Sequence, residues 1–200
     1  MSEPGLREKN RLATRHDLLT AAFSLIRERG YDQTSVEAIC ERAGVSRATF
    51  FNYFPQKDLL LTEVASQRLG QLREFIASQK EWQSPPSFEG LIELFGELCR
   101  QNEKILDVAP MLMSQALAQP GGRARIAQFR AEAVGLIADY ISPLLPPGEA
   151  HQDPRLLAET AFAIYFGTML EFVTSATAKP GQLTIYVMAR LRLILPGAPR

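Results

Sequence analysis

Apolar residues recur at intervals of three to four along the whole chain, and this pattern predicts an all-α protein. In the first predicted helix, residues 11–29, the side chains of Leu19, Phe23 and Ile26 fall on one face. Gly30 follows and ends that helix. The same spacing predicts further helices at about residues 35–43, 47–54, 57–80, 87–102, 111–118, 123–142, 154–178 and 182–195. No segment alternates apolar and polar residues as a half-buried strand would.

Two short helices with a glycine turn between them occupy residues 34–57. Thr34 followed by Glu37 matches a capping box, which predicts that the first of the two helices starts after Thr34. Gly44 closes that helix, and Ser46 caps the second one. Two helices joined in this way predict a helix-turn-helix, a device that lays its second helix in the major groove of DNA.

The second of these helices has one apolar and one small polar face. Phe50 and Phe54 point inward at a spacing of four, and Arg47 and Asn52 are left outward. Arginine can bind guanine, and asparagine adenine, through paired hydrogen bonds in the major groove. The residues predicted to contact DNA are Thr34, Ser35, Ser46, Arg47, Ala48, Thr49, Phe51, Asn52, Tyr53 and Lys57.

The residues around the turn form a specific string. They are Ala43-Gly44-Val45-Ser46-Arg47-Ala48-Thr49-Phe50-Phe51-Asn52-Tyr53-Phe54-Pro55-Gln56-Lys57-Asp58-Leu59-Leu60. This string resembles the tetracycline-repressor (TetR) family of one-component transcriptional regulators, and the resemblance covers residues 14–62. It departs from the family at Ala48, where a glycine is usual. It departs again at Phe51, where the family usually has a tyrosine whose hydroxyl contacts a DNA phosphate.

The resemblance implies a two-part, homodimeric regulator. Residues 1–57 would form a three-helix DNA-binding domain with a basic N-terminal arm. Residues 58–200 would form a helical effector-binding and dimerisation domain that starts with a connecting helix. We expect a repressor that a small, largely apolar effector releases from double-stranded operator DNA. Two alternatives stay open: an activator or ligand-independent DNA binder of the same fold, or a small-molecule-binding protein or enzyme whose helix-turn-helix is only structural.

Methionine and aromatic side chains in the predicted second domain are the candidates for lining an effector pocket. They are Phe95, Met111, Met113, Phe129, Phe162, Tyr165 and Met169. Such residues also fill ordinary cores. The helix at 154–178 is apolar nearly all round, so it needs partners on more than one side. Pairing with the last helix across a two-fold axis would supply them as a four-helix bundle. The interface residues predicted on this basis are Phe166, Leu170, Val173, Leu183, Val187 and Leu191.

Charge and cysteine content add little to this picture. The 22 Lys and Arg residues balance 22 Asp and Glu residues, so any DNA-binding charge depends on its placement. Arg7, Lys9, Arg11 and Arg15 cluster at the N-terminus, around the start of the first predicted helix, where they either follow DNA phosphates, reach into a minor groove or form a solvated start. The two cysteines, Cys40 and Cys99, imply no disulfide framework.

Enzymatic and membrane functions have little support in the sequence. There is no glycine-rich phosphate loop and no paired Cys or His spacing for a metal, so we predict no catalytic residues, metal or cofactor. Neither His16 nor His151 has a nucleophile beside it. The apolar stretch from Leu156 to Val173 contains two glutamates and is not a convincing membrane span. With no signal peptide, we expect a cytoplasmic protein without membrane contact.

Overall fold

The computed structural model of the protein describes residues 5–81, 86–145, 153–175, 177, 179 and 181–195. Within these residues the chain forms nine α-helices and one short 3-10 helix and no strand, which confirms the predicted all-α class. The helices are α1 (Leu6–Arg29), α2 (Val36–Ala43), α3 (Arg47–Tyr53), α4 (Leu59–Glu81), α5 (Phe88–Glu103), α6 (Ala109–Ala118), α7 (Gly122–Ile141), α8 (Pro154–Thr174) and α9 (Gln182–Ile194). The 3-10 helix, Ser142–Leu144, follows α7 directly.

The described residues form two compact units. The first comprises those up to Val64 together with Asp107–Gln119, and the second comprises Ala65–Leu106 and those from Pro120 onwards. The division falls inside α4, whereas the sequence-based boundary lies after Lys57. Helix α6 belongs to the first unit, although its residues were expected in the second.

The core of the first unit joins the first three helices. Leu18 and Leu25 of α1 pack with Ile39 of α2 and with Phe50 and Phe54 at α3, all nearly inaccessible to solvent. The prediction that both phenylalanines point inward is confirmed. Burial of each such side chain contributes about 1.5–3 kcal/mol, and this anchorage fixes which face of α3 remains outside.

Helix α2 begins one residue later than predicted. The Oγ of Ser35 accepts a hydrogen bond from the Ala38 N–H at 3.2 Å, so Ser35 is the N-cap. Thr34 is fully buried, and its hydroxyl donates to the Gly30 carbonyl at 2.8 Å. The capping box assigned to Thr34 and Glu37 is therefore wrong, because the threonine hydroxyl satisfies the end of α1 instead.

Helix α1 begins earlier than predicted and includes the basic arm. Arg7, Lys9, Arg11 and Arg15 all lie within α1, not ahead of it. Residues 6–15 contain no glycine or proline that would break the helix, and this is why it extends.

The core of the second unit joins α4, α5, α7, α8 and α9. Leu183, Val187 and Leu191 of α9 are fully buried in it. A Cβ atom at Gly96 would lie 2.8 Å from the Met188 Sδ, so this glycine lets α9 lie close against α5. The assignment of Leu183, Val187 and Leu191 to a dimer interface is therefore wrong, since their stripe faces the core of their own protomer.

By length and composition, α8 could cross a membrane. Ala158, Phe162 and Tyr165 of this helix are, however, buried in the core of the second unit. An apolar core helix of a folded domain passes the same test as a membrane span, and core packing accounts for this one side of α8. Most of its apolar stretch is not buried within the single protomer. Leu156 and Leu170 remain exposed on α8.

Candidate functional site

The turn before α3 sets how that helix is presented. Gly44 has φ +68° and ψ +31°, the left-handed conformation that glycine adopts without strain. The Val45 N–H then donates to the Cys40 carbonyl at 3.0 Å and closes α2. The Ser46 Oγ accepts from the Thr49 N–H at 3.0 Å and caps α3. Both predicted turn residues therefore act as expected.

The outward face of α3 carries exposed side chains of Arg47, Ala48 and Asn52. The Arg47 guanidinium pairs with the Glu37 carboxylate at 2.5 Å and lies 5.9 Å from the centroid of the Phe51 ring. Both partners of the ion pair are more than half exposed. An exposed pair of this kind contributes little free energy, so Arg47 can exchange Glu37 for a phosphate or a guanine edge at small cost.

Lys57 is bound inside the first unit. Its ammonium donates to the Tyr31 carbonyl at 2.7 Å and lies 4.0 Å from the centroid of the Tyr31 ring. Burial lowers the pKa of Lys57, and burial followed by hydrogen bonding to Asp58 raises the pKa of Tyr31. Helix α4 begins at Leu59, not at Lys57 as predicted. A phosphate contact by Lys57 would have to use the ammonium protons that Tyr31 leaves unused.

A complete ion pair joins α1 to the start of α4. Arg15 donates from Nε to the Glu63 Oε1 at 2.8 Å and from Nη2 to the Glu63 Oε2 at 2.5 Å. The Glu63 side chain is buried, and the Arg15 guanidinium lies 5.1 Å from the Phe54 ring centroid. Paired parallel hydrogen bonds of this type are strong and directional.

The second unit contains an apolar cavity of about 20 Å³, which is room for roughly one water molecule. Its lining consists of Arg68, Leu69, Leu72, Leu94, Phe95, Leu98, Phe129, Ala133, Ile137, Phe162 and Tyr165. Aromatic rings meet around it: the Phe95 and Tyr165 centroids lie 5.3 Å apart, and those of Phe129 and Phe162 lie 6.1 Å apart. Four of the residues predicted to contact an effector therefore converge here.

Arg68 is the charged residue of this lining, and it is only 9% exposed. Its Nε donates to the Asn102 Oδ1 at 2.9 Å, and its Nη1 donates to the Gln101 Oε1 at 2.8 Å and the Gln71 Oε1 at 3.2 Å. All three acceptors are neutral amides. Burial lowers the pKa of Arg68, which reflects a cation removed from water without a bound counter-charge.

Asn102 connects Arg68 to α8. Its Nδ2 donates to the Tyr165 hydroxyl oxygen at 2.6 Å and approaches the Met169 Sδ at 3.5 Å. Burial raises the pKa of Tyr165, so its hydroxyl stays protonated and can itself donate. A polar network thus borders one part of a cavity whose other walls are apolar.

Comparison with known proteins places the helix-turn-helix in a family. Residues 18–64 match the model of bacterial regulatory proteins of the tetR family. The HTH-type transcriptional regulator TcmR of Streptomyces glaucescens is 38% identical over 64 residues, which cover 32% of this chain and 28% of that protein. The fatty acid metabolism regulator protein of Bacillus subtilis is 35% identical over 57 residues, covering 28% of this chain and 29% of its own length. The alignments thus span less than a third of these curated relatives.

The similarity to a solved structure extends over nearly the whole chain. It is the crystal structure of Thermus thermophilus FadR, a TetR-family transcriptional repressor, in complex with lauroyl-CoA. The alignment covers 93% of this chain and 95% of that one, with a TM-score of 0.61 and 28% identity. Residues 18–64 thus form a DNA-binding domain of the tetR family, and the chain as a whole shares the fold of a TetR-family repressor.

The predicted DNA contacts of this helix-turn-helix differ in accessibility. Ser35, Ser46, Arg47, Ala48, Phe51 and Asn52 are exposed, and Thr49, Tyr53 and Lys57 are partly buried. Thr34 is the exception, because its side chain is buried and hydrogen bonded to the end of α1. Its assignment as a side-chain contact to DNA is therefore wrong for this conformation, and the other nine residues remain predictions.

The predicted effector residues divide between the two units. Phe95, Phe129, Phe162 and Tyr165 line the cavity, and Met169 lies beside Asn102 at its polar border. Met111 and Met113 do not join this group, because α6 belongs to the first unit. In the described parts of the chain, no three His, Cys, Asp or Glu side chains are grouped so that they could hold a metal ion.

Sequence reasoning missed Arg68, although a signal for it was present. Leu60, Val64 and Leu72 follow one another along α4 at multiples of four residues, and position 68 fills the gap in that apolar series. A charged residue at a position whose neighbours face a core is unusual, because lysine, arginine and carboxylates are rarely buried unpaired. That irregularity is the sequence signal of a charged side chain at a buried position.

Proposed function

We propose that this protein is a sequence-specific DNA-binding transcriptional regulator, a repressor that a small effector releases from its operator. The presentation of α3 is the observation that supports this most. A helix held by buried Phe50 and Phe54 and capped by Ser46 keeps Arg47 and Asn52 exposed and free of the core. These are side-chain types that read guanine and adenine in the major groove. As such a regulator, it acts in the cytoplasm, with residues 1–57 reading DNA and residues 58–200 responding to the effector.

Operator binding in this proposal requires a homodimer. Two recognition helices about 34–36 Å apart can read two half-sites on one side of a duplex. Exposed apolar side chains on α8 and α9 support dimerisation: Leu156, Leu170, Ile185, Tyr186 and Leu193 are between 43% and 85% exposed in the single protomer. A second copy that covers them would remove apolar surface from water. Leu170 is the one of these that the sequence-based interface already contained; Phe166 and Val173 of that set are partly buried.

The effector site in this proposal is the cavity of the second unit. Its aromatic and aliphatic lining suits a largely apolar molecule. The Thermus thermophilus FadR structure contains lauroyl-CoA, which supports a ligand with an apolar part for this chain as well. Helix α4 carries Arg68 and Leu72 of the cavity lining and, earlier in the same helix, Leu60 and Glu63 of the first unit. A ligand that favours one position of α4 would shift the population of DNA-binding conformations.

The DNA-binding part is tested by selecting bound sequences from a random duplex library with the full chain, then measuring their affinity by fluorescence anisotropy. We expect Arg47→Ala to lower the affinity for the selected sequence about tenfold or more, because a bidentate guanine contact contributes roughly 1–3 kcal/mol. Arg100→Ala is the matched control. It removes the same charge from an exposed position of the second unit and should leave affinity unchanged. Failure to enrich any sequence, or equal affinities of wild type and Arg47→Ala, would count against this function.

The homodimer is tested by light scattering. Leu193→Glu and Leu170→Glu place a charge at exposed apolar positions of α9 and α8, so the monomer should still fold. A charge buried without a partner at an interface is costly, and we expect dissociation with loss of operator affinity. Arg155→Glu, at an exposed polar position of α8, is the control for added negative charge. A stable dimer in both leucine variants would place the interface elsewhere.

A further inference from the structure

The charge of Arg68 is not balanced by any residue that the structure describes. Its hydrogen-bond acceptors are the side-chain amides of Gln71, Gln101 and Asn102. None of the ion pairs among the described residues includes it. The carboxylate of Glu97 raises the pKa of Arg68 electrostatically but forms no hydrogen bond or ion pair with it, and accepts hydrogen bonds from Arg100 and Gln101 instead. Amide oxygens orient a guanidinium but neutralise none of its charge.

The same guanidinium borders the apolar cavity of the second unit. The Nε and Nη1 atoms are bound to amides, and no protein acceptor is bound to Nη2 in the described chain. Phe95, Phe129 and Phe162 form much of the opposite lining. The remaining donor of Arg68 matches the carboxylate of an amphipathic acid, and the aromatic lining matches the apolar body of such an acid.

We propose that Arg68 is the anchor for the carboxylate of an amphipathic organic acid whose apolar body occupies the enlarged cavity. This deepens, and rests on, the proposed function, because it assigns the chemical class of the effector. It also adds one negative charge to the small, largely apolar effector that the sequence predicts. The Tyr165 hydroxyl and the Asn102 amide lie next to Arg68 and supply further hydrogen-bonding groups for the same carboxylate.

A single negative charge fits this site better than a multiply charged group. One guanidinium balances one carboxylate, and the remaining polar groups of the network are neutral amides and a phenol with a raised pKa. A dianionic phosphate would bring a second charge into a cavity whose lining is otherwise leucine, isoleucine, alanine and phenylalanine. The guanidinium geometry also matches the two oxygens of a carboxylate.

Binding of such an acid must open the cavity. The present volume of about 20 Å³ holds one water molecule, whereas ligand pockets usually have roughly 300–1,000 Å³. The ligand therefore selects an expanded conformation in which α4, α5, α7 and α8, the helices that carry the lining, have moved apart. Since Arg68 is part of α4, the carboxylate contact acts directly on the helix that continues into the first unit.

The test compares acids with their neutral amides on the full chain by isothermal titration calorimetry, below micellar concentration. The probes are decanoate and decanamide, and naphthalene-1-acetate and its amide, which separate a linear from an aromatic apolar body. We expect the wild type to bind at least one acid about ten- to a hundredfold more tightly than its amide, the range for a charge-assisted hydrogen bond. Arg68→Gln should remove this preference and leave amide binding unchanged.

Two further variants separate anchoring from general effects of charge and folding. Arg73→Gln removes a positive charge from an exposed position of the same helix, paired with Glu132, and should keep the full acid preference. Arg68→Lys keeps the charge but loses the planar fork, so its preference should fall between those of the wild type and Arg68→Gln. Circular dichroism melting establishes that each variant is folded. Equal binding of acid and amide by the wild type, or an acid preference that survives in Arg68→Gln, overturns the proposal.

Failure of this proposal can be told apart from failure of the proposed function. Operator affinity measured without any ligand reports on the DNA-binding function alone. Operator binding together with indifference to the acids would retain the regulator and reject the anchor. Acid binding that depends on Arg68, in a protein with no sequence-specific DNA affinity, would retain the site and reject the regulator.

Discussion

The two units of this protein treat an arginine near or on α4 in opposite ways. In the first unit, Arg15 forms two hydrogen bonds with the buried carboxylate of Glu63, so the charges balance. In the second unit, Arg68 is more deeply buried, yet it is bound only to amide oxygens. In the complete pair of the first unit the two charges neutralise each other, and the pair holds two helices together. In the second unit, Arg68 has no carboxylate partner among the described residues, so its guanidinium can still bind an anion.

The two units also differ in how closely they follow known proteins. The family model matches residues 18–64, which all belong to the first unit. A helix that must fit the DNA groove restricts the residues around it, because the groove has the same dimensions for every regulator. A ligand cavity does not face one shared binding partner, because different regulators bind different ligands. In the second unit, therefore, the fold is similar to that of a known structure, and the residues that line the cavity determine which ligand can bind.

Replacing Arg15 with methionine should have the largest effect and would break the complete pair. Glu63 would be left buried without a counter-charge, so we expect the free energy of unfolding to fall by about 3 kcal/mol at pH 7. Urea denaturation followed by circular dichroism measures this. Arg29→Met, at the exposed end of α1, controls for loss of charge. A loss below about 1 kcal/mol would mean that Glu63 is not dependent on Arg15.

The dependence of the free energy of unfolding on pH should show how strongly the second unit shields the Cys99 thiol from water. Burial raises the pKa of the Cys99 thiol from 9.0 to about 12. Below pH 9 both folded and unfolded chains hold this proton, and above it only the folded chain does, so stability is lost as pH rises. At pH 10 the loss from this group is about 1.4 kcal/mol. Cys99→Ala should lose correspondingly less stability between pH 8 and pH 10, and parallel profiles for the two proteins would show that the thiol is accessible.

Replacing Arg68 with methionine should have a smaller effect than replacing Arg15, and in the opposite direction. The change removes a buried charge and leaves no carboxylate unpaired, although the side-chain amides of Gln71, Gln101 and Asn102 each lose one donor. We expect stability between unchanged and about 1 kcal/mol higher in urea denaturation without ligand. A loss of 2 kcal/mol or more would make Arg68 a structural residue like Arg15 and would remove the contrast between the units.

The smallest expected effect concerns the exposed pair on the DNA-facing surface. Glu37→Gln frees Arg47 from its carboxylate partner and removes a negative charge close to α3. Exposed pairs contribute up to about 1 kcal/mol, so DNA affinity should rise about two- to fivefold. Anisotropy titration with the selected duplex measures this change. Glu41→Gln, an exposed position on the same helix, is the control, and weaker binding by Glu37→Gln would mean that the pair positions Arg47 for DNA.

Sequence periodicity was sufficient for the helices and for the inward face of α3. The inward position of Phe50 and Phe54 could be predicted because two apolar residues four apart lie on the same face of a helix. Helix ends were less certain, since Thr34 and Ser35 can both cap α2, and only the position of the Gly30 carbonyl decides between them. Local sequence does not contain that information.

Contacts between helices that are distant in the sequence could not be predicted. The stripe of Leu183, Val187 and Leu191 indicated burial, but periodicity cannot tell whether a helix of the same chain or of a second copy covers it. Likewise, Arg68 and Asn102 are 34 residues apart, and their hydrogen bond exists only because α4 and α5 pack together. Such an arrangement depends on tertiary structure, which a single sequence does not specify by pattern alone.

The salt dependence of operator affinity tests the account most directly. If each protomer of a dimer places two cations on phosphates, the affinity for the selected duplex should fall with a log–log slope of about −4 against salt concentration. Replacing Arg47 with alanine in both protomers should reduce the slope or the sequence preference. Anisotropy titrations of the full chain from low to physiological salt supply both values. A flat profile, with equal affinity for selected and scrambled duplexes, would contradict the assignment of this protein as a DNA-binding regulator.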